Sequence, residues 1–214
     1  MEKHIYCSVY DLKHGPASGV AIQSVYRDIP FRLELLTVDQ AKNAHLIALL
    51  SAWRKKVLHF MPSTRPITIR GTREWLKNKV IGEKDRLLFL VIADGKPIGH
   101  MGFYRYKPED NSIVVDNVIR GVSGYPGIMS AALIAMIQWA KKALSVSSFL
   151  VDCSDNNEKA IALYKRIGFN EVRREPLVLV KTAGGNIFKD APRNHTGKIM
   201  YYRVVFRYSE KYTL

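Results

Sequence analysis

The feature that most constrains this 214-residue sequence is a change of pattern about halfway along it. Before that point, strand-like runs follow one another through turn signals. Residues 87–93 are almost uninterruptedly apolar and end at Asp94-Gly95, with a return run over 97–106. Asp-Gly between two such runs marks a two-residue hairpin, because both turn positions require positive φ. A third strand over 112–119 follows the polar turn at 108–111. Then Gly121-Val122-Ser123-Gly124-Tyr125-Pro126-Gly127 opens an apolar helix reaching about Leu144, with Pro126 close to its first turn, where a missing N–H costs little. Residues 149–153 form the next strand. A strand-loop-helix-strand unit makes its two strands parallel and adjacent, with a right-handed crossover. The expected fold class is therefore α+β (mixed α/β): a central mixed sheet with an antiparallel meander at its N-terminal side, one parallel pair and flanking helices.

The remaining segments fill in around that unit. Residues 1–30 read as a charge-balanced extension broken by Gly15, Pro16, Ser18 and Gly19. It has room for an extra strand or for an oligomer contact, a homodimer included. Regular patterning begins at Phe31, so 31–214 read as one domain. Residues 32–36 alternate as a strand does, and Thr37 with Gln40 forms a capping-box signature. Ala41, Ala44, Ile47, Ala48, Leu50, Trp53 and Val57 recur at helical spacing and predict one long amphipathic helix to about Leu58. A shorter helix is expected over about 72–81, closed by Gly82. Asp155 with Glu158 makes a second capping box for a helix carrying Ala160, Ile161, Tyr164 and Ile167. Lys165 and Arg166 fill its last turn and Gly168 stops it. A final strand is expected over 198–208.

Composition adds one unusual number. Lys and Arg total 33 against 19 Asp and Glu, a net charge of +14, while 47% hydrophobic and 24% charged residues are ordinary and exclude disorder as the main state. Either a polyanionic partner or a lysine-rich solubilising surface accounts for the excess. Nucleic acid is not the expected partner, since no basic patch interleaved with aromatics is present. The most apolar stretch, 128–140, is interrupted by Ser130 and Gln138 and falls short of the roughly 20 residues a membrane helix needs. The first residues lack a secretory pattern. Cys7 and Cys153 offer neither a metal spacing nor a disulfide framework. The expectation is a cytoplasmic protein with no membrane contact and no metal.

A glycine loop between a strand and a helix aims backbone N–H groups at the helix N-terminus, where the helix dipole adds to them; this suits an anion such as a pyrophosphate. A Walker loop is excluded, since Gly127-Ile128-Met129 has neither the lysine nor the hydroxyl. A dinucleotide fingerprint is excluded by the spacing of Gly121, Gly124 and Gly127 and by the late position of the unit. A coenzyme A pyrophosphate cradle and a plain tight turn both stand.

The downstream helix favours the cradle. Asn157-x-x-Ala160-x-x-Leu163-Tyr164-x-x-x-Gly168-Phe169 closely resembles the second signature of the GNAT N-acetyltransferase superfamily. Gly124 to Ala131 occupies the place of that family's Arg/Gln-x-x-Gly-x-Gly/Ala loop; Gly127 fits the central glycine, while Gly124 replaces the Arg or Gln and Met129 the small last residue. Thr72-x-x-Trp75-Leu76, Asp85-Arg86-Leu87-Leu88-Phe89 and Ile98-Gly99-His100-Met101-Gly102-Phe103 are also similar to the family, so the resemblance covers about 31–169. It implies a GNAT-like sheet whose parallel pair splays apart and acetyl-CoA as co-substrate. The pantetheine amides would pair with backbone at Val118 and Ile119. Backbone N–H groups from Gly124 through Tyr125, Gly127, Ile128 and Met129 would hold the pyrophosphate. Asn157 would touch the pantetheine arm, and Tyr164 would protonate the departing thiolate.

Asp116 is the candidate general base and His100 its rival. Cys153 reads as a small buried hydrophobe. The acceptor is expected to be a primary amine of a small molecule, an amino sugar or nucleotide-linked amino sugar, attacking directly in a ternary complex. The alternatives are a ribosomal-protein-type N-terminal acetyltransferase and a non-catalytic acetyl-CoA sensor.

Overall fold

A computed structural model describes residues 9–15 and 19–209. Residues 1–8 and 16–18 of the extension, and the last five of the chain, lie outside the described residues. The chain divides into two compact units, one of Met1–Trp53 and Thr68–Phe149, the other of Arg54–Ile67 and Leu150–Leu214.

The first unit is an antiparallel sheet in the order β1 (Ala21–Tyr26), β2 (Ile29–Leu35), β3 (Leu87–Ala93), β4 (Lys96–Lys107) and β5 (Ser112–Arg120). Of the two roles open to the extension, it takes up the extra strand: β1 pairs with β2 from Ala21↔Glu34 to Tyr26↔Ile29. The Asp94-Gly95 hairpin forms as expected, closed by Ala93↔Lys96 with φ of 49° and 71° at its two turn residues. All of β3 is buried, as a strand apolar on both faces must be. Ser147 and Ser148 both donate their N–H to Asn111 O, so β6 (Ser148–Ser154) starts beside the start of β5.

Two helices of this unit, those that follow Asn43 and Thr68, begin where short polar side chains cap them. A helical segment, α1, covers residues 9–14. Thr37 N–H does reach Gln40 Oε1 at 3.0 Å, but Gln40–Lys42 is only a 3₁₀ turn. Asn43 then leaves helical geometry and caps Leu46 N–H with Oδ1, so α2 runs Ala44–Lys56 and the long helix expected from Thr37 is split. The helix expected over 72–81 starts three residues earlier, because Thr68 Oγ1 caps Gly71 N–H. This α3 (Ile69–Trp75) continues as a π-helical turn, Leu76–Ile81. Buried Lys13 closes that end, its Nζ donating to the carbonyls of Val80, Ile81 and Glu83 at 3.2, 2.9 and 2.6 Å. Helix α4 (Ile128–Leu144) packs on β1 and β2, and Trp139 meets Phe89 edge-on at 5.3 Å.

In the second unit β6 pairs with β9 (Tyr201–Tyr208), β9 with β7 (Phe169–Thr182) and β7 with β8 (Gly185–Asp190), all antiparallel. The expected last strand is β9, three residues shorter than read; the β7–β8 hairpin is new. Residues 62–64 edge β8 through Phe188 N–H to Pro62 O and Thr64 N–H to Asn186 O. Helix α5 (Glu158–Arg166) packs on β7. Its expected capping box through Asp155 is not formed. Asn157 is the cap, and the Asp155 carboxylate accepts Tyr202 N–H at 3.1 Å. No helix among the described residues is long and apolar enough to cross a membrane.

Candidate active site

The glycine loop is fastened at three points within the first unit. Gly121 and Val122 donate N–H to Ile98 O at 2.8 and 3.0 Å, which ends β5. Tyr125 donates its hydroxyl to Asp94 Oδ2 at 3.0 Å, tying the loop to the β3–β4 turn. Gly127 then takes φ 87° as the N-cap of α4, with no side chain capping that helix. A Cβ at Gly127 would stand 2.4 Å from the Tyr26 ring, so the position needs glycine for both its backbone and its surroundings. At Gly124 (φ 100°) a Cβ would meet nothing within 4 Å; the loop faces open space there. Met129 does not fill that space. Its sulfur lies 3.0 Å from the Cβ position of Gly99, and Ile128 is wholly buried beside it. Both side chains therefore turn to the core and leave only backbone on the outer side. The first N–H groups of a helix have no intrahelical partner, so an uncapped turn with open space before it fits a pyrophosphate.

The strand leading into this loop carries a feature that the sequence reading missed. His100 pairs with Ile119 and Gly102 with Asp116, so β5 holds one residue more than β4 across this step. Asn117 takes φ 53° inside the bulge. A bulge leaves the extra residue outside the ladder and bends its strand, next to Val118 and Ile119. The polar pair Asp116-Asn117 within an otherwise β-branched strand, Ile113-Val114-Val115-Asp116-Asn117-Val118-Ile119, was the available signal.

Asp116 is brought to Arg86, which donates Nη1 to Oδ2 at 2.8 Å, and Asn117 Nδ2 donates to the same oxygen. Arg86 also donates Nε to Glu83 at 2.8 Å and lies over the Tyr104 ring at 4.1 Å. Burial raises the Asp116 carboxyl above the usual range, with Arg86 and then Asn117 pulling the other way. His100, the rival base, has no exposed surface and lies between Trp53 and Trp75, at 6.1 and 6.5 Å between ring centroids.

The other expected residues belong to the second unit. Asn157 Oδ1 accepts Ala160 N–H at 3.2 Å and so serves as a helix cap. Tyr164 is buried, its ring 5.9 Å from Phe169 and 6.0 Å from Phe206. Burial, then Asp152 and Asp155, pushes the Cys153 thiol up to about 12; a thiol at that value is no nucleophile at neutral pH.

The model of the acetyltransferase (GNAT) domain family matches residues 32–170, well over half of the chain. The protein belongs to the GNAT acetyltransferase family. It is an acetyl-CoA-dependent acetyltransferase. Solved structures share the fold. A GCN5-related N-acetyltransferase from Brucella melitensis is 20% identical, with TM-score 0.62 over 88% of this chain and 81% of that one. RimL, a ribosomal L7/L12 alpha-N-protein acetyltransferase in complex with coenzyme A, is 16% identical, with TM-score 0.61 over 88% and 97%. An acetyltransferase from Salmonella typhimurium, described as modifying the N-terminal serine of ribosomal protein L7/L12, is 16% identical, with TM-score 0.57 over 82% and 93%. No curated protein matches the chain in sequence.

Proposed function

We propose that this acetyltransferase acetylates a primary amine at the N terminus of an acidic protein, by direct attack on the thioester. The carrying observation is an uneven charge. Arg54–Ile67 with Leu150–Leu214 holds 16 Lys and Arg against 7 Asp and Glu, a net of +9; the rest holds 17 against 12, a net of +5 on a longer stretch. Within β7–β9, Glu171, Glu175 and Asp190 are taken up by Arg174, Arg173 and Arg203, while Lys181, Lys189, Arg193 and Lys198 are exposed. A field of that kind draws an acidic macromolecule. The Salmonella neighbour is described as modifying the N-terminal serine of a ribosomal protein, which is likewise a protein N-terminal acceptor.

Acetyl-CoA supplies an acetyl group activated as a thioester. In this reading the amides of Gly124–Met129 hold its phosphates, and the backbone at Val118 and Ile119, at the edge of the bulge, holds the pantetheine arm. The amine nitrogen forms the new C–N bond as the C–S bond breaks. Tyr164 O–H protonates the departing sulfur, and Asp116 accepts the amine proton directly or through water; its raised carboxyl suits that task. Tyr164→Phe then lowers kcat at least roughly tenfold while coenzyme affinity holds. Asp116→Asn removes the acidic limb of the pH-rate profile; a carboxylate that only anchors Arg86 would leave that limb and lower stability instead.

Thiol release with acetyl-CoA and a panel of acidic peptides, neutral peptides, amino sugars and nucleotide-linked amino sugars tests the acceptor. Fastest turnover of acidic peptides, weakened by salt, is expected. Turnover of amino sugars without peptides contradicts the reading and favours the small-molecule acceptor expected from the sequence.

A further inference from the structure

The β1–β2 hairpin has a tip unlike an ordinary two-residue turn. Arg27 and Asp28 both hold positive φ, 48° and 63°. Asn-Gly or Asp-Gly normally fills such a turn, because most other side chains are sterically disfavoured in this conformation. Arginine is therefore kept at an unfavourable backbone position, at the end of a strand that packs on α4. The preceding Tyr26 puts its ring edge and hydroxyl 2.4–2.6 Å from the point where Gly127 would carry a Cβ. The Arg27 guanidinium lies over that same ring, 5.4 Å from its centroid. Arg32, the next basic residue, is paired with Glu34 at 2.6 Å. Arg27 is exposed and has no ion pair among the described residues.

One tyrosine ring thus separates the Arg27 guanidinium, which has no ion pair among the described residues, from the uncapped turn of α4. That turn supplies roughly half an elementary charge through the helix dipole, well short of what a pyrophosphate and a 3′-phosphate carry. We propose that the β1–β2 hairpin is part of the coenzyme site: Tyr26 holds the loop at Gly127, and Arg27 gives a coenzyme phosphate its cation. The inference rests on the acetyl-CoA dependence of the family and does not depend on which amine is the acceptor. An Arg–phosphate contact of this kind is charge-assisted and salt-sensitive, whereas Tyr26 acts through packing.

Calorimetric titration of the full chain with coenzyme A and with 3′-dephospho-coenzyme A tests it without any turnover. Arg27→Ala is expected to raise Kd for coenzyme A roughly tenfold at low salt and to flatten its salt dependence. Arg27→Lys restores most of the affinity. Tyr26→Ala raises Kd too but keeps the salt slope. If the Arg27→Ala loss vanishes with the dephospho ligand, its partner is the 3′-phosphate; if the loss persists, its partner is the pyrophosphate. Either result supports the hairpin's role. Equal Kd values for wild type and Arg27→Ala with both ligands overturn it. Failure of the wild-type protein to bind either ligand overturns the coenzyme reading along with it.

Discussion

Two helices of this acetyltransferase each follow a strand and a polar loop, and they begin in opposite ways. Helix α5 is closed by its own sequence, with Asn157 Oδ1 on Ala160 N–H. Helix α4 begins at Gly127 with no side-chain cap. Asn43 and Thr68 close α2 and α3 in the manner of α5. A cap contributes about 1 kcal/mol, so leaving it out where three other helices have one is a cost the fold bears at one place. We propose that the difference marks which strand-to-helix junction takes a ligand: the one whose amides are not already answered by a side chain.

The largest expected effect comes from spoiling the open end. Gly127→Ala puts a methyl into the Tyr26 ring and a side chain at φ 87°. Coenzyme affinity should fall by roughly a hundredfold or more, the equivalent of about 3 kcal/mol of lost loop geometry. Calorimetric titration measures it, and unchanged affinity would remove the loop from the site. Spoiling the closed end should do the reverse. Asn157→Ala should lower stability by about 1 kcal/mol in a denaturant titration and leave coenzyme Kd unchanged. A raised Kd would return Asn157 to the pantetheine role implied by the family resemblance. A third test concerns a closed helix C-terminus. Burial lowers the Lys13 ammonium to about 8, against partial support from Asp85 and Glu83. Between that value and its ordinary range the unfolded chain keeps a proton that the folded chain sheds, so folding is favoured as pH rises through the window. Wild-type stability should climb from pH 8 toward pH 10 relative to Lys13→Met, as followed by thermal unfolding; parallel curves would contradict it.

Where local chemistry decides an element, the sequence showed it. Asp94-Gly95 located the β3–β4 hairpin, and the order of glycine loop, apolar helix and Tyr164-to-Phe169 segment marked the family. Where a distant partner decides, it did not. Asp155 and Asn157 are both good caps by type; Tyr202 N–H, far along the chain on β9, takes the Asp155 carboxylate and leaves the helix to Asn157. Strand β7 was missed because Asn170-Glu171-Val172-Arg173-Arg174-Glu175-Pro176 is polar and includes proline. It forms because β9 pairs along its length, and Pro176 stands just beyond the last β7–β8 pair, Leu177↔Asp190, where no ladder N–H is demanded. Of the site, the loop was legible in the sequence. The bulge at Asn117 and the hold of Tyr26 on Gly127 were not, since both arise from neighbouring strands rather than from local pattern.

The central claim is that the open start of α4, and not the closed start of α5, takes the coenzyme's phosphates. Backbone amide chemical shifts, followed by NMR on the ¹⁵N-labelled enzyme as coenzyme A is added, test it directly. The largest shifts are predicted at Gly124, Tyr125, Gly127, Ile128 and Met129, with little change from Asn157 to Ala160. Large shifts confined to Asn157–Ala160, with the Gly124–Met129 amides unmoved, would contradict it.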